Sequence, residues 1–229
     1  MLTVYRSNRA EWLAALIAQQ LKIDPPSPFE SIDVVVHTWP TSQWLREQFA
    51  IFNGVNAQVR FPFPRAYLRE TVQVLLGIED DQDPWKAKKL VWPILDLLPR
   101  FIETEHGADL KKWIELQNPI DDQLNQCEWQ LARSIADAFD DYILYRPSLV
   151  NEWLEMSEKD YQFFIEKSPF HKRWQPELLR LVANEINTDP LNKLVKEAIT
   201  KIKSAELSSR KLPSSLKFFG LSRLAPLQI

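Results

Sequence analysis

The sequence predicts an α/β fold dominated by helices: a lobe with the layout of a nucleotide-binding domain, interrupted by a large all-helical insertion. Three observations predict it. Strand and helix patterns alternate over residues 1–52, helix follows helix over 83–206, and a strand pattern returns at Leu216–Phe219. We therefore expect the first part of the lobe at 1–76, the insertion at 77–210, and the returning strand with the start of a helix at 211–229.

Two strands and two helices are predicted before the insertion. A short strand at 2–5 leads into a helix at about 9–22, and the β-branched run at 32–37 is typical of a strand buried in a parallel sheet. Thr41 can cap a helix ending near residue 52, and right-handed crossover predicts that the two strands pair in parallel. The residues predicted to face the core are Leu13, Leu16, Ile17 and Leu21, then Trp44, Leu45 and Phe49.

Prolines and helical periodicity organise the rest of the chain. The VRFPFP segment at 59–64 is predicted to be extended, with Pro64 beginning a helix that ends at residue 76. The insertion helices are predicted at about 84–104 with a break or kink near Pro93, then at 109–116, 121–144, 148–156, 174–186 and 190–207. Pro226 is predicted to begin a helix that the chain end cuts off, so we expect the sequence to be a piece of a longer protein.

The predicted lobe lacks a phosphate-binding loop. Such a loop needs glycines for close approach of the backbone and a lysine for the β- and γ-phosphates, in the pattern GxxxxGK[ST]. The chain has four glycines, and none is followed by lysine. The turn after the first predicted strand is instead Arg6-Ser7-Asn8. We therefore expect no ATP and no other cofactor to be bound by this chain.

Composition excludes several other classes of protein. The net charge of −3 argues against a free-standing nucleic-acid binder driven by charge alone, although a groove within a larger assembly is compatible with it. Apolar runs are too short to span a bilayer, so we expect a cytoplasmic protein with no membrane partner. The single cysteine, Cys127, excludes an internal disulfide. The histidines are too widely spaced to predict a metal site, and no catalytic residue is identified.

Five segments, in order along the chain, carry a resemblance to a known family. They are VYRSN followed by RxxWLxAL, VVVHTWPTSQWL at 34–45, FPFP at 61–64, DYILYRP at 141–147 and LPSSLKFFGLSRLAPLQ at 212–228. Through them the chain resembles the N-terminal region of the RecC family, the gamma subunits of exodeoxyribonuclease V. The segments span nearly the whole chain but only the first part of such a subunit.

The resemblance implies a fold and a function. The family implies a RecBCD-like heterotrimer that unwinds and degrades double-stranded DNA ends in recombinational repair, with ATP and Mg²⁺ on the partner subunits. This subunit resembles a superfamily 1 helicase, a P-loop NTPase-like lobe whose ATP site is degenerate, and it splits the duplex and holds a single strand. Arg6-Ser7-Asn8 stands where active relatives have the phosphate loop. Phe219-Gly220-Leu221 stands where they have acidic metal ligands, and it contains none.

The turn after the strand at 32–37 corresponds to a segment that contacts single-stranded DNA in related helicases. Backbone N–H groups and hydroxyls at a helix N-terminus suit phosphate oxygens. Gln43 and Trp44 match the family's pattern, whereas Pro40 stands where that pattern has a glycine. The candidate DNA-binding residues are Thr38, Trp39, Thr41, Ser42, Gln43 and Arg65.

Several candidates also have a purely structural interpretation. Trp39 can stack on a base or be a surface residue that binds no ligand. Arg65 can approach a phosphate or be an ordinary surface arginine. The helical phase of Trp44 with Leu45 and Phe49 favours a place in the core. The tryptophans expected mostly in the core of the insertion, with any exposed ones marking an interface, are Trp85, Trp92, Trp113, Trp129, Trp153 and Trp174.

Two functions therefore remain open. The first is a non-catalytic DNA-handling lobe of a helicase–nuclease complex. The second is a structural interaction module that docks a partner subunit without touching DNA. An independent ATPase or kinase is disfavoured because both the phosphate loop and the acidic metal ligands are missing.

Overall fold

The computed structural model describes residues 2–27, 29–78, 83–117, 126–204 and 215–229. The chain divides into two compact units. The sheet unit consists chiefly of Met1–Val74 and Ser209–Leu224, and the helical unit chiefly of Leu75–Ser208. The elements of the sheet unit are α1 (Ala10–Ile23), β1 (Ile32–Val36), α2 (Trp39–Asn53), β2 (Val59–Arg60), α3 (Pro64–Leu76, whose last residues enter the helical unit) and β3 (Leu216–Phe219).

The sheet unit contains a small parallel sheet with the strand order β2-β1-β3. The central strand, β1, pairs with β2 through Ile32 and Val59 and with β3 through Val36 and Phe219. Beyond β2, the Val36 amide also donates to the Pro62 carbonyl at 3.1 Å. The predicted strands at 32–37 and 216–219 are thus observed, and the extended FPFP segment continues along β1.

One face of the sheet is covered by α1 and α2. The core there contains Val34 and Val36 of β1 together with Ala14, Leu45 and Phe49. As predicted from helical phase, Leu13, Ile17 and Leu21 pack against this core, and so does Trp44. Leu16 is half-buried. On the opposite face, Val35 of β1 is fully buried, whereas Phe218 of the edge strand β3 is 52% exposed.

The predicted strand at 2–5 is wrong. These residues have no strand conformation, and Leu2, Val4 and Tyr5 are exposed. A strand is stabilised by a ladder of hydrogen bonds to a neighbour and by burial of alternate side chains. In the described part of the chain, β1 has β2 and β3 as its neighbours rather than residues 2–5. The expected parallel pair of 2–5 with β1 is therefore also not formed.

The helical unit is built around α4 and α6, which pack against each other, with α7 and α9 beside them. Its helices are α4 (Ala87–Phe101), α5 (Ala108–Gln117), α6 (Gln126–Tyr145), α7 (Pro147–Glu155), α8 (Glu158–Lys167), α9 (Trp174–Ile186) and α10 (Leu191–Lys203). Fully buried core residues include Leu90, Ile94, Leu98, Phe139, Ile143, Leu178 and Leu179.

Several predictions for the helical unit need correction. Helix α8 was not predicted, although Ser157 caps it by accepting a hydrogen bond from the Asp160 amide at 3.2 Å. Helix α4 runs through Pro93 without a break. At the chain end, Pro226 begins a short 3₁₀ helix, Pro226–Gln228. The predicted helix start at residue 121 and helix end at 207 lie outside the described residues.

The tryptophans of the helical unit divide between core and surface. Trp85 and Trp153 are buried as expected, and the Trp85 indole Nε1 donates to the Thr188 carbonyl at 2.9 Å. The expectation is wrong for Trp92, which is 63% exposed. Trp113 and Trp129 are also exposed, and Trp174 is half-buried.

A network of polar side chains links α8 to α9. The Tyr161 hydroxyl donates to Glu177 Oε2 at 2.6 Å. The Arg180 guanidinium lies 4.1 Å from the centre of the Tyr161 ring and donates to Glu158 Oε2 at 3.1 Å. Because Tyr161 is buried away from water, this network gives its hydroxyl the hydrogen-bond partner that it would otherwise lack.

No helix within the described ranges has the length and apolar character needed to cross a bilayer.

Candidate nucleic-acid interface

The candidate residues at 38–43 lie where β1 ends and α2 begins. Thr38 is the N-cap of α2, with extended backbone angles, and Pro40 occupies the first turn, where a missing amide hydrogen costs nothing. The tight passage from the buried Val36 to Trp39 places this turn at the carboxyl edge of the parallel sheet. Ligands of open parallel sheets bind at this edge.

The hydroxyl groups of the turn are engaged in local hydrogen bonds. Thr38 Oγ1 accepts from the Thr41 amide at 3.4 Å and lies 2.9 Å from Thr41 Oγ1. Ser42 Oγ donates to the Trp39 carbonyl at 2.7 Å, and Ser42 is buried. Thr38 and Thr41 therefore keep acceptor capacity toward solvent, whereas Ser42 stabilises the first turn of α2 from within.

The two tryptophans of the turn have different environments. Trp39 is 65% exposed, so its indole ring is available to a ligand. Trp44 packs on the core, and its ring centre lies 5.9 Å from that of Phe219 in β3. The structural interpretation of Trp44 is therefore confirmed.

An open cleft of about 450 Å³ adjoins this turn. One wall comes from Ala10 and Glu11 at the start of α1, and the other from Pro40 and Thr41 at the start of α2. The remaining lining residues are Trp44, Phe219 and Gly220. Gly220 has a φ of +63°, which lets the chain turn away directly after β3.

The other two candidates differ in their relation to this cleft. Gln43 lies on the first turns of α2 and is half-buried. Arg65 is half-buried on the first turn of α3 and does not line the cleft. The structure thus brings Thr38, Trp39 and Thr41 to one edge together with Gln43, and it places Arg65 on a separate element.

The turn before α1, Arg6-Ser7-Asn8, is stabilised by a local hydrogen bond. Ser7 Oγ accepts from the Arg9 amide at 3.0 Å, just before α1 begins at Ala10. Arg9 in turn lies over the exposed Trp12 ring, 5.0 Å from its centre. Within the described residues, no group of three or more His, Cys, Asp or Glu side chains is placed to hold a metal ion.

A charged cluster on the face of the sheet opposite α1 and α2 escaped the sequence analysis. Asp33 of β1 is buried, and Arg60 of β2 donates to both its oxygens, at 2.7 and 3.0 Å. Arg60 also donates to Glu70 Oε2 of α3 at 2.9 Å. The hydrogen bond with Asp33 raises the pKa of Arg60 above its ordinary value, so the guanidinium stays charged. The signal in the sequence was Asp33, a carboxylate inside an apolar run, because a buried charge needs an oppositely charged partner.

The fold and this edge define a helix-dominated module with a small parallel sheet and an exposed aromatic turn at the sheet's carboxyl end. The family model described as RecC, N-terminal domain, matches residues 2–229. The chain therefore belongs to the family of RecC N-terminal domains.

Curated relatives agree with this assignment. The chain is 26% identical over 241 residues to the RecBCD enzyme subunit RecC of Haemophilus influenzae, covering 98% of this chain and 21% of that protein. The corresponding subunits of Escherichia coli and Mycolicibacterium smegmatis are 26% and 28% identical, each match covering 100% of this chain and 20% and 19% of those proteins. The chain thus spans about a fifth of the length of the curated relatives it matches.

Proposed function

We propose that this chain is part of a non-catalytic, DNA-handling subunit of an ATP-dependent helicase–exonuclease complex, which processes double-stranded DNA ends in recombinational repair in the cytoplasm. The observation that carries the proposal is the family match over residues 2–229. The relatives are named as subunits of the RecBCD enzyme, so the proposed partners are the other subunits of such a complex and its DNA ends.

Within this proposal, the sheet unit is a helicase-like lobe whose nucleotide site has decayed. The absence of lysine after any glycine supports it. ATP and Mg²⁺ are then bound by partner subunits. Saturable, Mg²⁺-dependent binding of ATP to this chain, measured by calorimetry, would contradict it.

The lobe is proposed to contact single-stranded DNA through the turn at the start of α2. Trp39 offers an exposed ring for stacking, and Thr38, Thr41 and Gln43 offer polar groups beside it. The half-buried Arg65 lies on a separate helix, and Ser42 has its hydroxyl engaged within α2. We therefore assign the contact to Trp39 and Gln43 before the other candidates.

The test is the binding of a labelled single-stranded oligonucleotide, followed by fluorescence anisotropy across a salt series. Replacing Trp39 and Gln43 with alanine is expected to weaken binding about 5-fold or more, because stacking on one aromatic contributes about 1–3 kcal/mol per base. Phe52→Ala is a matched control, since Phe52 is exposed on the same helix about 20 Å away.

The alternative is a structural interaction module that docks a partner subunit without touching DNA. The local engagement of the Thr38, Thr41 and Ser42 hydroxyls favours it, since capping alone explains those residue types. Unchanged oligonucleotide binding in the folded Trp39 and Gln43 variant would support this alternative and reject the DNA contact.

A further inference from the structure

A second exposed surface with nucleic-acid chemistry lies in the helical unit. The end of α8 and the following 3₁₀ turn, Phe170–Lys172, expose two aromatic and three basic side chains. Phe163 is 58% exposed and Phe170 is 45% exposed. We call this surface the basic-aromatic patch; it consists of Phe163, Lys167, Phe170, His171 and Lys172.

Cations lie beside both rings of this region. Lys167 Nζ is 3.8 Å from the centre of the Phe163 ring, and the Arg173 guanidinium carbon is 5.8 Å from the centre of the Phe170 ring. At these distances the positive charge interacts favourably with the face of the ring. A polyanion that carries flat, apolar groups would find cations for its charges and aromatic rings for its flat groups on this surface.

The turn that carries Phe170 is held by Arg173. Its Nε donates to the Ser168 carbonyl at 3.0 Å, and its terminal nitrogen donates to the Glu166 carbonyl at 2.9 Å. Because these bonds anchor the turn to the end of α8, Phe170, His171 and Lys172 are presented with little conformational entropy left to lose on binding.

The charge of the patch differs from that of the chain. The segment 163–173 contains Lys167, Lys172 and Arg173 against a single carboxylate, Glu166, whereas the whole chain carries a net charge of −3. Among the described residues, neither Lys167 nor Lys172 has a salt bridge, whereas four other lysines of this unit do: Lys111, Lys193, Lys196 and Lys201. Both ammonium groups are exposed and can neutralise an anionic partner.

We infer that the basic-aromatic patch binds single-stranded nucleic acid, with Lys167 and Lys172 neutralising phosphates and Phe163 and Phe170 stacking on bases. Aromatic side chains interleaved with cations are typical of surfaces that track a single strand without reading its sequence. An acidic protein segment would satisfy the lysines but has no regular supply of flat rings for both phenylalanines. The inference depends on none of the residues at the start of α2.

The experiment measures binding of labelled oligodeoxythymidylate to the full chain across a salt series. Replacing Lys167 and Lys172 with glutamine is expected to reduce the slope of log K against log salt by about 1.4, because each phosphate contact on a single strand contributes about 0.7. Replacing Lys88 and Lys112 with glutamine is the control, since both are exposed lysines of the same unit. An equal loss of slope in both pairs, or none in the first, would overturn the inference.

The proposed stacking of bases on Phe163 and Phe170 is tested by replacing both residues with leucine. We expect binding to weaken about 5-fold or more at constant salt slope, because stacking is lost while the phosphate contacts remain. Trp92→Leu is the control for loss of an exposed ring elsewhere in this unit. Wild-type affinity in the leucine variant would overturn the inference.

Two further readouts separate the possible explanations. Circular dichroism melting curves should coincide for all variants, because every replaced side chain is exposed. Polyglutamate should displace the oligonucleotide poorly; efficient displacement would identify a surface for acidic protein segments instead. Loss of binding in the Trp39 and Gln43 variant with none in the patch variants would reject this inference and support the proposed α2 contact.

Discussion

The sheet unit and the helical unit satisfy their buried polar groups with different donors. The sheet unit places a charge, Asp33, in its central strand and pairs it with Arg60, whose side chain is half exposed. The helical unit also buries a carboxylate, Asp83, which accepts from the Trp85 backbone N–H at 3.1 Å. Its other buried donors, the Tyr161 hydroxyl and the Trp85 indole N–H, are neutral at physiological pH. The half-exposed guanidinium of Arg60 stays near water, whereas neutral donors inside the helical core cost less to desolvate. Each arrangement predicts a different response to substitution.

The largest effect is expected in the helical core. Trp85→Ala should lower the free energy of unfolding by about 3–5 kcal/mol, because it removes a fully buried aromatic ring and leaves the Thr188 carbonyl without its donor. Trp92→Ala, at an exposed position, should change it by less than about 0.5 kcal/mol. Urea unfolding followed by circular dichroism measures both. Equal losses of unfolding free energy in the two variants would mean that the difference in exposure between Trp85 and Trp92 does not determine their contributions to stability.

An intermediate effect is expected at the ion pair of the sheet unit. Arg60→Met should cost about 1–3 kcal/mol, because the buried Asp33 carboxylate loses both of its donors. Glu70→Gln is the control: Glu70 contacts the same guanidinium from an exposed position, where an ion pair contributes about 0–1 kcal/mol. Urea unfolding again provides the measurement. If Arg60→Met leaves the free energy of unfolding unchanged, then Asp33 does not depend on Arg60, and the difference between the two units is wrong for the sheet unit.

The smallest effect, and the one with a pH signature, concerns Tyr161. Burial, followed by the hydrogen bond to Glu177, raises the pKa of Tyr161 above its ordinary value. Unfolded tyrosine releases its proton near pH 10, so the stabilisation is complete below about pH 10 and is lost as the pH rises toward the folded pKa. Tyr161→Phe should cost about 1 kcal/mol at neutral pH and progressively less above about pH 10.

The measurement is the difference in unfolding free energy between wild type and Tyr161→Phe at neutral and alkaline pH. Taking the difference removes the titration of the lysines, which is common to both proteins. A difference that stays constant across this range would show that the Tyr161 hydroxyl does not contribute through its protonated form.

Periodicity predicted much of the fold because most helices bury one continuous face. Leu45 and Phe49 of α2 illustrate this, and the same phase placed Trp44 in the core. Helix α8 was missed because its apolar residues do not lie on one face: Tyr161 and Ile165 are buried, whereas Phe163 between them is exposed. The strand expected at 2–5 failed because strand propensity does not specify a neighbour, and pairing depends on distant residues.

The candidate interface was predictable only in part. The exposure of Trp39 follows from its place as the first residue of α2, and one contiguous segment supplies the whole turn at 38–43. The adjoining cleft was not predictable, since Ala10, Thr41 and Phe219 come from three distant parts of the chain. The partner of Asp33 was within reach of the sequence, because Arg60 is the basic residue of the neighbouring extended segment.

The bidentate pair of Asp33 and Arg60 also has a consequence for alignment. Strand β2 is only two residues long, so its length cannot specify where it lies along β1. A slip by one residue would turn the guanidinium toward Val34 and the apolar core, where a charge is expensive. The pair thus marks a single permitted register, and its loss should appear as several amide NMR signals for Val59 in place of one.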